Sequence, residues 1–408
     1  MAGAAPETSQ ASVVGHQERE TQTFAFIAMT CLFFFWGFIT VLNDILIPFL
    51  KESFDLNYVQ AILVQSCFFG AYFIISPFAG KLIDKVGYQR GIVLGLLTTA
   101  SGCFLFYPSA SLNLYVLFLG ALFVLASGIT ILQVAANPYV AALGPEKTAA
   151  SRLNLAQAAN SLGTTVGPVI GAMMILGAVS ADASAVQMPY MMIGATLVLA
   201  ALLFRNIKLP VLAHVESPAE ESDESVWDRR PLVLGALAIF LYVGGEVSIG
   251  SFLVNYFSES SIAGLSTADA GEMVAYYWGA AMVGRLVGAG IMNYIAPTKY
   301  LALNSAIAVL MIVISMNSTG HLAMWSILAV GFFNSIMFPT IFTLAVKGLG
   351  SMTSKGSGLV CQAIVGGAIV PLVQAAVADS VGLQLSFIVP LVCYIYIGWY
   401  ALRGAARV

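Results

Sequence analysis

Charged residues are scarce in this sequence. Lysine, arginine, aspartate and glutamate make up 9% of its 408 residues, against roughly 25% in an average soluble domain. Hydrophobic residues make up 59%, and the mean hydropathy is +0.89. The net charge of -3 is small and gives no indication of a nucleic-acid partner, and we predict none. The composition excludes an ordinary soluble domain and indicates an integral membrane protein.

Histidine and cysteine are also rare. The three histidines, His16, His214 and His321, fall in the N-terminal tail, a polar linker and an outer loop, so none is available inside the membrane for a metal site or for acid–base catalysis. The five cysteines lie in apolar stretches and are interpreted as small hydrophobic side chains. A GxxxxGK[ST] motif is absent, which excludes a built-in ATPase. We predict no enzyme, no metal and no cofactor.

Long apolar runs occupy most of the chain. A bilayer core of about 30 Å needs about 20 apolar residues per helix. Twelve stretches meet this need, and we predict an all-α membrane protein. They cover roughly 23–50, 57–81, 89–109, 113–142, 149–178, 187–207, 231–257, 268–295, 298–317, 321–347, 354–379 and 383–403.

The basic residues predict how these helices are oriented. Lysine and arginine favour the cytoplasmic side of a membrane. With twelve spans and both termini in the cytoplasm, 16 of the 17 basic residues fall on the inner side, and Lys51 is the exception. Omitting one span would move every later loop to the other side.

The chain divides into two related halves. Residues 208–230 form a long polar connection, so we predict a tail (1–22), a first six-helix bundle (23–207), a cytoplasmic linker (208–230) and a second bundle (231–408). SRLNLAQAANSLGTTVGPVIGA (151–172) aligns with SKGSGLVCQAIVGGAIVPLVQA (354–375) at a constant offset. Two such halves are typical of alternating-access carriers, whose substrate sites lie near the membrane midplane.

One loop carries a recognisable motif. GKLIDKVGYQRG (80–91) resembles the loop signature of the major facilitator superfamily. Asp84 and nearby bases can form a charge network that latches the cytoplasmic ends of neighbouring helices, although they could also be ordinary inner-loop charges. The residues that fit the signature, and form the predicted latch, are Gly80, Asp84, Lys85, Gly87 and Arg90.

Three further stretches narrow the resemblance. WGFITVLNDILIPFLK (36–51), QVAANPYVAALGPEKTAASRLNLAQAANSLGTT (133–165) and LYVGGEVSIGSFLVNYF (241–257) resemble the fucose/galactose/glucose cation symporter family within that superfamily. The resemblance implies import of a monosaccharide driven by a cation gradient, usually of protons and in some members of sodium. It also implies a bacterial inner-membrane location.

Two carboxylic acids fall well inside predicted spans, Asp44 in the first helix and Glu246 in the seventh. An acid at the bilayer centre costs about 2.5 to 3.5 kcal/mol on insertion scales and usually has a function. Protonation removes that charge, so Asp44 is predicted to carry the coupling proton, a role that the LND motif also matches in the family. Neighbouring amides could instead satisfy Asp44. Glu246, which falls opposite Asn43 in the repeat, is the second coupling candidate, and Asn43 is the third.

The chain departs from the fucose branch of the family in its fourth helix. That branch carries an acid there, where this sequence has Gln133. The difference argues against fucose as the substrate and makes Glu246 the candidate for the substituted role. Glu246 could instead form a hydrogen bond that packs two helices.

Amides and aromatic rings suit a hexose, because amides both donate and accept hydrogen bonds and rings stack on sugar faces. Gln133 and Asn137 are four residues apart, and Gln157 and Asn160 three, so each pair shares a helix face. Any of these amides could instead join two helices. The predicted sugar-binding residues are Gln133, Asn137, Gln157, Asn160, Trp36, Asn334, Gln362 and Trp278, with Tyr242 as a further candidate ring.

The sequence thus predicts a proton-coupled hexose importer, for glucose or galactose, that acts as a monomer in the lipid bilayer. Sodium coupling, and fucose or N-acetylglucosamine as substrate, stay open as alternatives. A membrane sugar sensor that does not transport would share the same fold.

Overall fold

The computed structural model describes residues 22–42, 50, 54, 58–171, 186–211 and 225–405, and within these ranges it is helical without strands. A helix satisfies its own backbone hydrogen bonds, as hydrocarbon requires. The prediction of twelve helices is confirmed. They are α1 (Gln22–Leu42), α2 (Tyr58–Val86), α3 (Tyr88–Ser111), α4 (Tyr115–Ala142), α5 (Ala149–Gly171), α6 (Gln187–Asn206), α7 (Arg230–Ser258), α8 (Thr267–Ile291), α9 (Pro297–Asn317), α10 (Gly320–Val346), α11 (Gly350–Val381) and α12 (Leu383–Gly404).

The helices α1 to α6 form one half and α7 to α12 the other. We call the end of the bundle where α6 ends and α7 begins the linker end. Within the described residues, ten of the twelve helices are long and apolar enough to cross a membrane by length and composition alone, and the described parts of α5 and α8 are not among them. These two helices pack against each other between the halves. Their polar side chains are therefore turned toward protein as well as toward lipid.

The helices α10, α11 and α12 in the second half are interrupted, α12 at Phe387. The helix α10 breaks between Asn334 and Met337. In α11 a 3-10 turn, Ala363–Val365, separates two α-helical segments. Such interruptions leave backbone carbonyls that need partners from elsewhere in the protein. The carbonyl of Ser335, at the break in α10, accepts a hydrogen bond from Arg285 on α8.

Glycines let helices within one half approach closely. A Cβ atom added at Gly102 of α3 would lie 2.5 Å from the Cα atom of Leu125 in α4. Gly128 of α4 faces Thr99 and Gly95 of α3 in the same way, and a Cβ there would lie 2.7 Å from the carbonyl oxygen of Gly95. The hydrophobic effect does not drive helix association in lipid. Small residues at such crossings instead allow close van der Waals packing between the helices.

We expect Gly128→Ala to destabilise the first half by about 1 to 3 kcal/mol, because the added methyl group overlaps the backbone of α3. Gly120→Ala in the same helix is the control, since a Cβ at Gly120 meets nothing within 4 Å. Thermal unfolding of the purified variants, followed by tryptophan fluorescence, checks the difference. Equal melting temperatures for the two variants would contradict this account of the α3–α4 contact.

Candidate functional site

The first half contains a cluster of polar side chains between α1, α2, α4 and α5. The amide nitrogen of Gln133 on α4 donates to the hydroxyl of Tyr72 on α2, at 2.5 Å. The side chain of Trp36 on α1 lies close to the same hydroxyl. One turn nearer the linker end, the amide oxygen of Asn137 accepts from the amide nitrogen of Gln157 on α5, at 3.5 Å. We call these five residues the amide cluster.

Two atoms of the amide cluster lack partners in the described part of the chain. They are the amide oxygen of Gln133 and the amide nitrogen of Asn137, and both are buried. A buried polar group without a hydrogen bond costs about 1 to 3 kcal/mol. The cluster therefore offers one spare acceptor and one spare donor, which a small polar ligand could satisfy. Four predicted site residues meet here, and Tyr72 is one that the sequence did not single out.

Asn160 follows the same face of α5 but makes a different contact. Its amide nitrogen donates to the carbonyl oxygen of Phe33 on α1, at 3.0 Å. The backbone of Asn160 also packs directly against Gly37 of α1. In this structure Asn160 joins α1 to α5, which is the alternative that sequence analysis left open for any one amide.

The second half contains a cluster built around Glu246 and Asn334. The Tyr242 hydroxyl donates to the Glu246 carboxylate at 2.7 Å, and the Tyr277 hydroxyl lies 3.4 Å from the Glu246 backbone oxygen. The Asn334 amide nitrogen donates to the hydroxyls of Tyr277 and Tyr394, at 2.8 and 3.0 Å. We call these residues the tyrosine cluster. Tyr277 and Tyr394 were not predicted from the sequence.

Arg285 on α8 connects the two clusters. Its Nη2 atom lies 3.8 Å from the Glu246 carboxylate. Its Nε atom donates to the Ser335 carbonyl at 3.1 Å. On the first half, its Nη1 atom lies 3.4 Å from the Gln157 carbonyl and donates to the Ser161 hydroxyl.

The placement of Arg285 corrects the sequence analysis, which counted it among the inner-side bases. It lies six residues before the end of α8, about 9 Å along the helix axis, and its long side chain reaches further inward. The side chains of Glu246 and Arg285 are only 12% and 13% exposed. An arginine inside a membrane bundle is usually paired with another polar group and usually has a function. The sequence does not show which group pairs with it, because that depends on which helices pack together.

Other predicted residues fall outside the two clusters or outside the described ranges. Trp278 is 41% exposed and packs edge-on against Tyr277, with 5.1 Å between ring centroids. Gln362 on α11 donates to the Phe73 carbonyl on α2 at 3.1 Å and so contributes to the contact between halves. Asp44 and Asn43 lie outside the residues that the structure describes.

The predicted latch lies where α2 meets α11 at the linker end. The Asp84 carboxylate lies 3.2 Å from Lys355 Nζ in the other half. Gly80 allows the close approach, because a Cβ there would lie 2.9 Å from the Ser354 carbonyl oxygen. Gly87, with φ of 83°, separates α2 from α3, while Lys85 and Arg90 are exposed.

A second ion pair links the halves at the same end, between Lys347 Nζ and Glu146 at 3.3 Å. The Ser151 hydroxyl donates to the Ala289 carbonyl at 2.6 Å. The Ser357 hydroxyl donates to the Val134 carbonyl at 2.9 Å. The ion pair and the Ser151 bond join the two halves at the linker end, and the Ser357 bond joins them deeper in the bundle, next to Gln133.

Comparison with known proteins gives consistent matches along the chain. The sequence profile of the Major Facilitator Superfamily matches residues 25–364. A Brucella abortus protein described as a glucose/galactose transporter is 56% identical over 399 residues, which are 96% of this chain and 97% of that protein. The structure of the Escherichia coli fucose–proton symporter is 34% identical, with a TM-score of 0.87, over 94% of this chain and 99% of that one. A structure of a superfamily transporter in the outward conformation gives the same identity, coverage and TM-score.

We expect Gly80→Ala to separate the halves at the linker end, because the new methyl group would press on the backbone of α11. Gly70→Ala in the same helix is the control, since a Cβ at Gly70 meets nothing within 4 Å. Spin labels at positions 205 and 299, both exposed and in opposite halves, report the separation by double electron–electron resonance. A longer-distance population should grow with Gly80→Ala alone. The same distances in both variants would show that Gly80 does not hold the halves together.

Proposed function

The chain belongs to the major facilitator superfamily, and from this membership we propose that it imports glucose or galactose together with a proton. It is a multi-pass membrane sugar transporter rather than an enzyme, as its relatives are. The relatives are bacterial transporters, and a bacterial inner membrane is its location. Both clusters come from one chain, which supports a functional monomer in the lipid bilayer.

The amide cluster is the observation that supports a sugar as the ligand. A hexose hydroxyl can donate to the free oxygen of Gln133, and another can accept from the free nitrogen of Asn137. Trp36 and Tyr72 place aromatic rings beside these amides. The relative described as a glucose/galactose transporter favours those two hexoses. Asn334, whose amide oxygen also lacks a partner in the described part of the chain, is proposed to contact the sugar from the second half.

For the other predicted sugar-binding residues, the proposal rests on the sequence alone. Asn160, Gln362 and Trp278 are proposed to contact the sugar only in another conformation, since here their contacts are with helices or neighbouring rings.

Asp44 is proposed to carry the proton, with Asn43 beside it, and Glu246 is the second candidate for coupling. A neutral Asp44 would let the halves close around the sugar, because no charge then has to leave water. The ligand drives the change only through its higher affinity for the closed state. Sodium is the alternative ion, held by Asp44, Asn43 or Glu246 together with backbone carbonyls.

Contacts at the linker end support an outward-facing state for this structure. The basic residues favour a cytoplasmic linker end, and the halves are held together there by the Asp84–Lys355 and Glu146–Lys347 pairs. The TM-score of 0.87 to a transporter in the outward conformation is consistent with this. The inward-facing state would then require these pairs to separate.

We expect Gln133→Ala to weaken sugar binding at least tenfold, because a hydrogen bond and a spare acceptor are lost together. Gln374→Ala is the control: Gln374 is also buried with an unpartnered amide oxygen, but it bonds to Ser386 on α12. Binding of glucose, galactose, fucose, mannose and N-acetylglucosamine to purified protein is measured by tryptophan quenching. Equal loss in both variants would indicate a folding defect, and unchanged binding in Gln133→Ala would remove the amide cluster from the sugar site.

We expect proteoliposomes to accumulate labelled glucose or galactose when an inward proton gradient is imposed, and not when only a sodium gradient is imposed. The Asp44→Asn variant should retain sugar counterflow but lose accumulation, because it cannot exchange a proton. Accumulation driven by sodium alone would replace the proton with sodium in this proposal. A protein that binds sugar but shows no counterflow would be a sensor rather than a transporter.

A further inference from the structure

The contact between α5 and α8 is a seam of polar bonds that runs inward from the linker end. Ser151 bonds to the Ala289 carbonyl, and the Asn154 amide nitrogen lies 3.8 Å from the Met292 sulfur. Further inward, Arg285 bonds to the Gln157 carbonyl and the Ser161 hydroxyl. Arg285 is thus the innermost of these described contacts, and the only one that carries a charge.

Arg285 has acceptors on both sides of the seam. The Gln157 carbonyl and the Ser161 hydroxyl belong to the first half. The Ser335 carbonyl and the Glu246 carboxylate belong to the second half, together with Arg285 itself. If the halves separate at the linker end, Arg285 keeps its second-half acceptors and loses those on α5.

A guanidinium group has five donors and no acceptor, and it stays charged in a protein. A buried charge that loses its partner is strongly unfavourable. Once α5 moves away, the Glu246 carboxylate is the charged partner that moves with Arg285, because α7 and α8 lie in the same half. A negative Glu246 would satisfy Arg285 in that state, and a protonated Glu246 would leave it poorly satisfied.

We infer that Glu246 is the resident counter-ion of Arg285 rather than a carrier of the transported proton, and that Arg285 is a positioning residue that holds α8 against α5. The inference rests on the proposed proton-coupled transport and assigns roles within it. Transport of the proton then falls to Asp44. The Arg285 side chain passes from acceptors shared between the halves to acceptors in the second half alone as the linker end opens.

The surroundings of Glu246 agree with this role. The groups facing it that titrate or carry charge are Tyr242 on its own helix, Tyr277 and Arg285 on α8, and Tyr394 on α12. Three are tyrosines, which are neutral near pH 7, and the fourth is the arginine. Among these described neighbours, Arg285 is therefore the one group that carries a charge, and it faces the carboxylate of Glu246.

Proteoliposomes carrying Glu246→Gln, Arg285→Gln or both test the inference. Each single variant should lose at least tenfold in counterflow, because it leaves one buried charge unpaired. The double variant should regain counterflow and still accumulate sugar in response to a proton gradient, with the pH profile of the wild type. Counterflow without accumulation in the double variant would make Glu246 the proton carrier and overturn the inference. So would a double variant that retains the wild-type melting temperature but shows no counterflow.

A second measurement tests Arg285 without relying on transport. With spin labels at positions 205 and 299, Ser161→Ala should raise the fraction of protein open at the linker end about tenfold, because Arg285 loses an acceptor on α5. Ser127→Ala is the matched control, since its buried hydroxyl bonds within its own helix, to the Phe123 carbonyl, and to no other group in the described part of the chain. An open fraction that is unchanged in Ser161→Ala would overturn the role of Arg285. Wild-type liposomes that fail to accumulate sugar would instead contradict the proposed function and leave this measurement intact.

Discussion

A polar group inside hydrocarbon has to find its partner within the protein, and this requirement organises the interior of the bundle. Arg285 has four described acceptor groups, drawn from α5, α7 and α10. Glu246 meets a tyrosine hydroxyl and the arginine. The helices α5 and α8 pack against each other and bond across their contact, as the Ser151 hydroxyl does to the Ala289 carbonyl. The packing of the halves and the position of the candidate site follow from these partnerships.

Close glycine contacts occur both within a half and between the halves. Gly102 and Gly128 bring α3 and α4 together backbone to backbone, and Gly80 and Gly358 do the same for α2 and α11. The contact between the halves also includes hydrogen bonds and ion pairs, such as Asp84 with Lys355. Polar bonds of this kind contribute about 1 kcal/mol each in a membrane protein, and new partners can replace them as the two halves move.

The two polar clusters are chemically different, which suggests a division of work. The amide cluster is neutral and keeps an unpartnered donor and acceptor, so it suits a neutral ligand rich in hydroxyl groups. The tyrosine cluster surrounds a carboxylate that faces an arginine, so it suits the stabilisation of charged groups inside the bundle. Arg285 touches the backbone of Gln157, a member of the amide cluster, and the side chain of Glu246. Gln157 therefore connects the amide cluster to the Arg285–Glu246 ion pair.

The sequence alone determined the twelve helices, because the length of an apolar run is set by the thickness of the bilayer. The spacing of Gln133 and Asn137 also predicted that these two residues share one face of α4, and the structure places both in the amide cluster. The tertiary structure decided which groups on different helices meet. Arg285, Tyr277 and Tyr394 lie far from Glu246 in sequence, while Asn160 and Gln362 bond to backbone carbonyls of other helices. Local periodicity contains no information on such long-range pairs, which depend on how the helices pack.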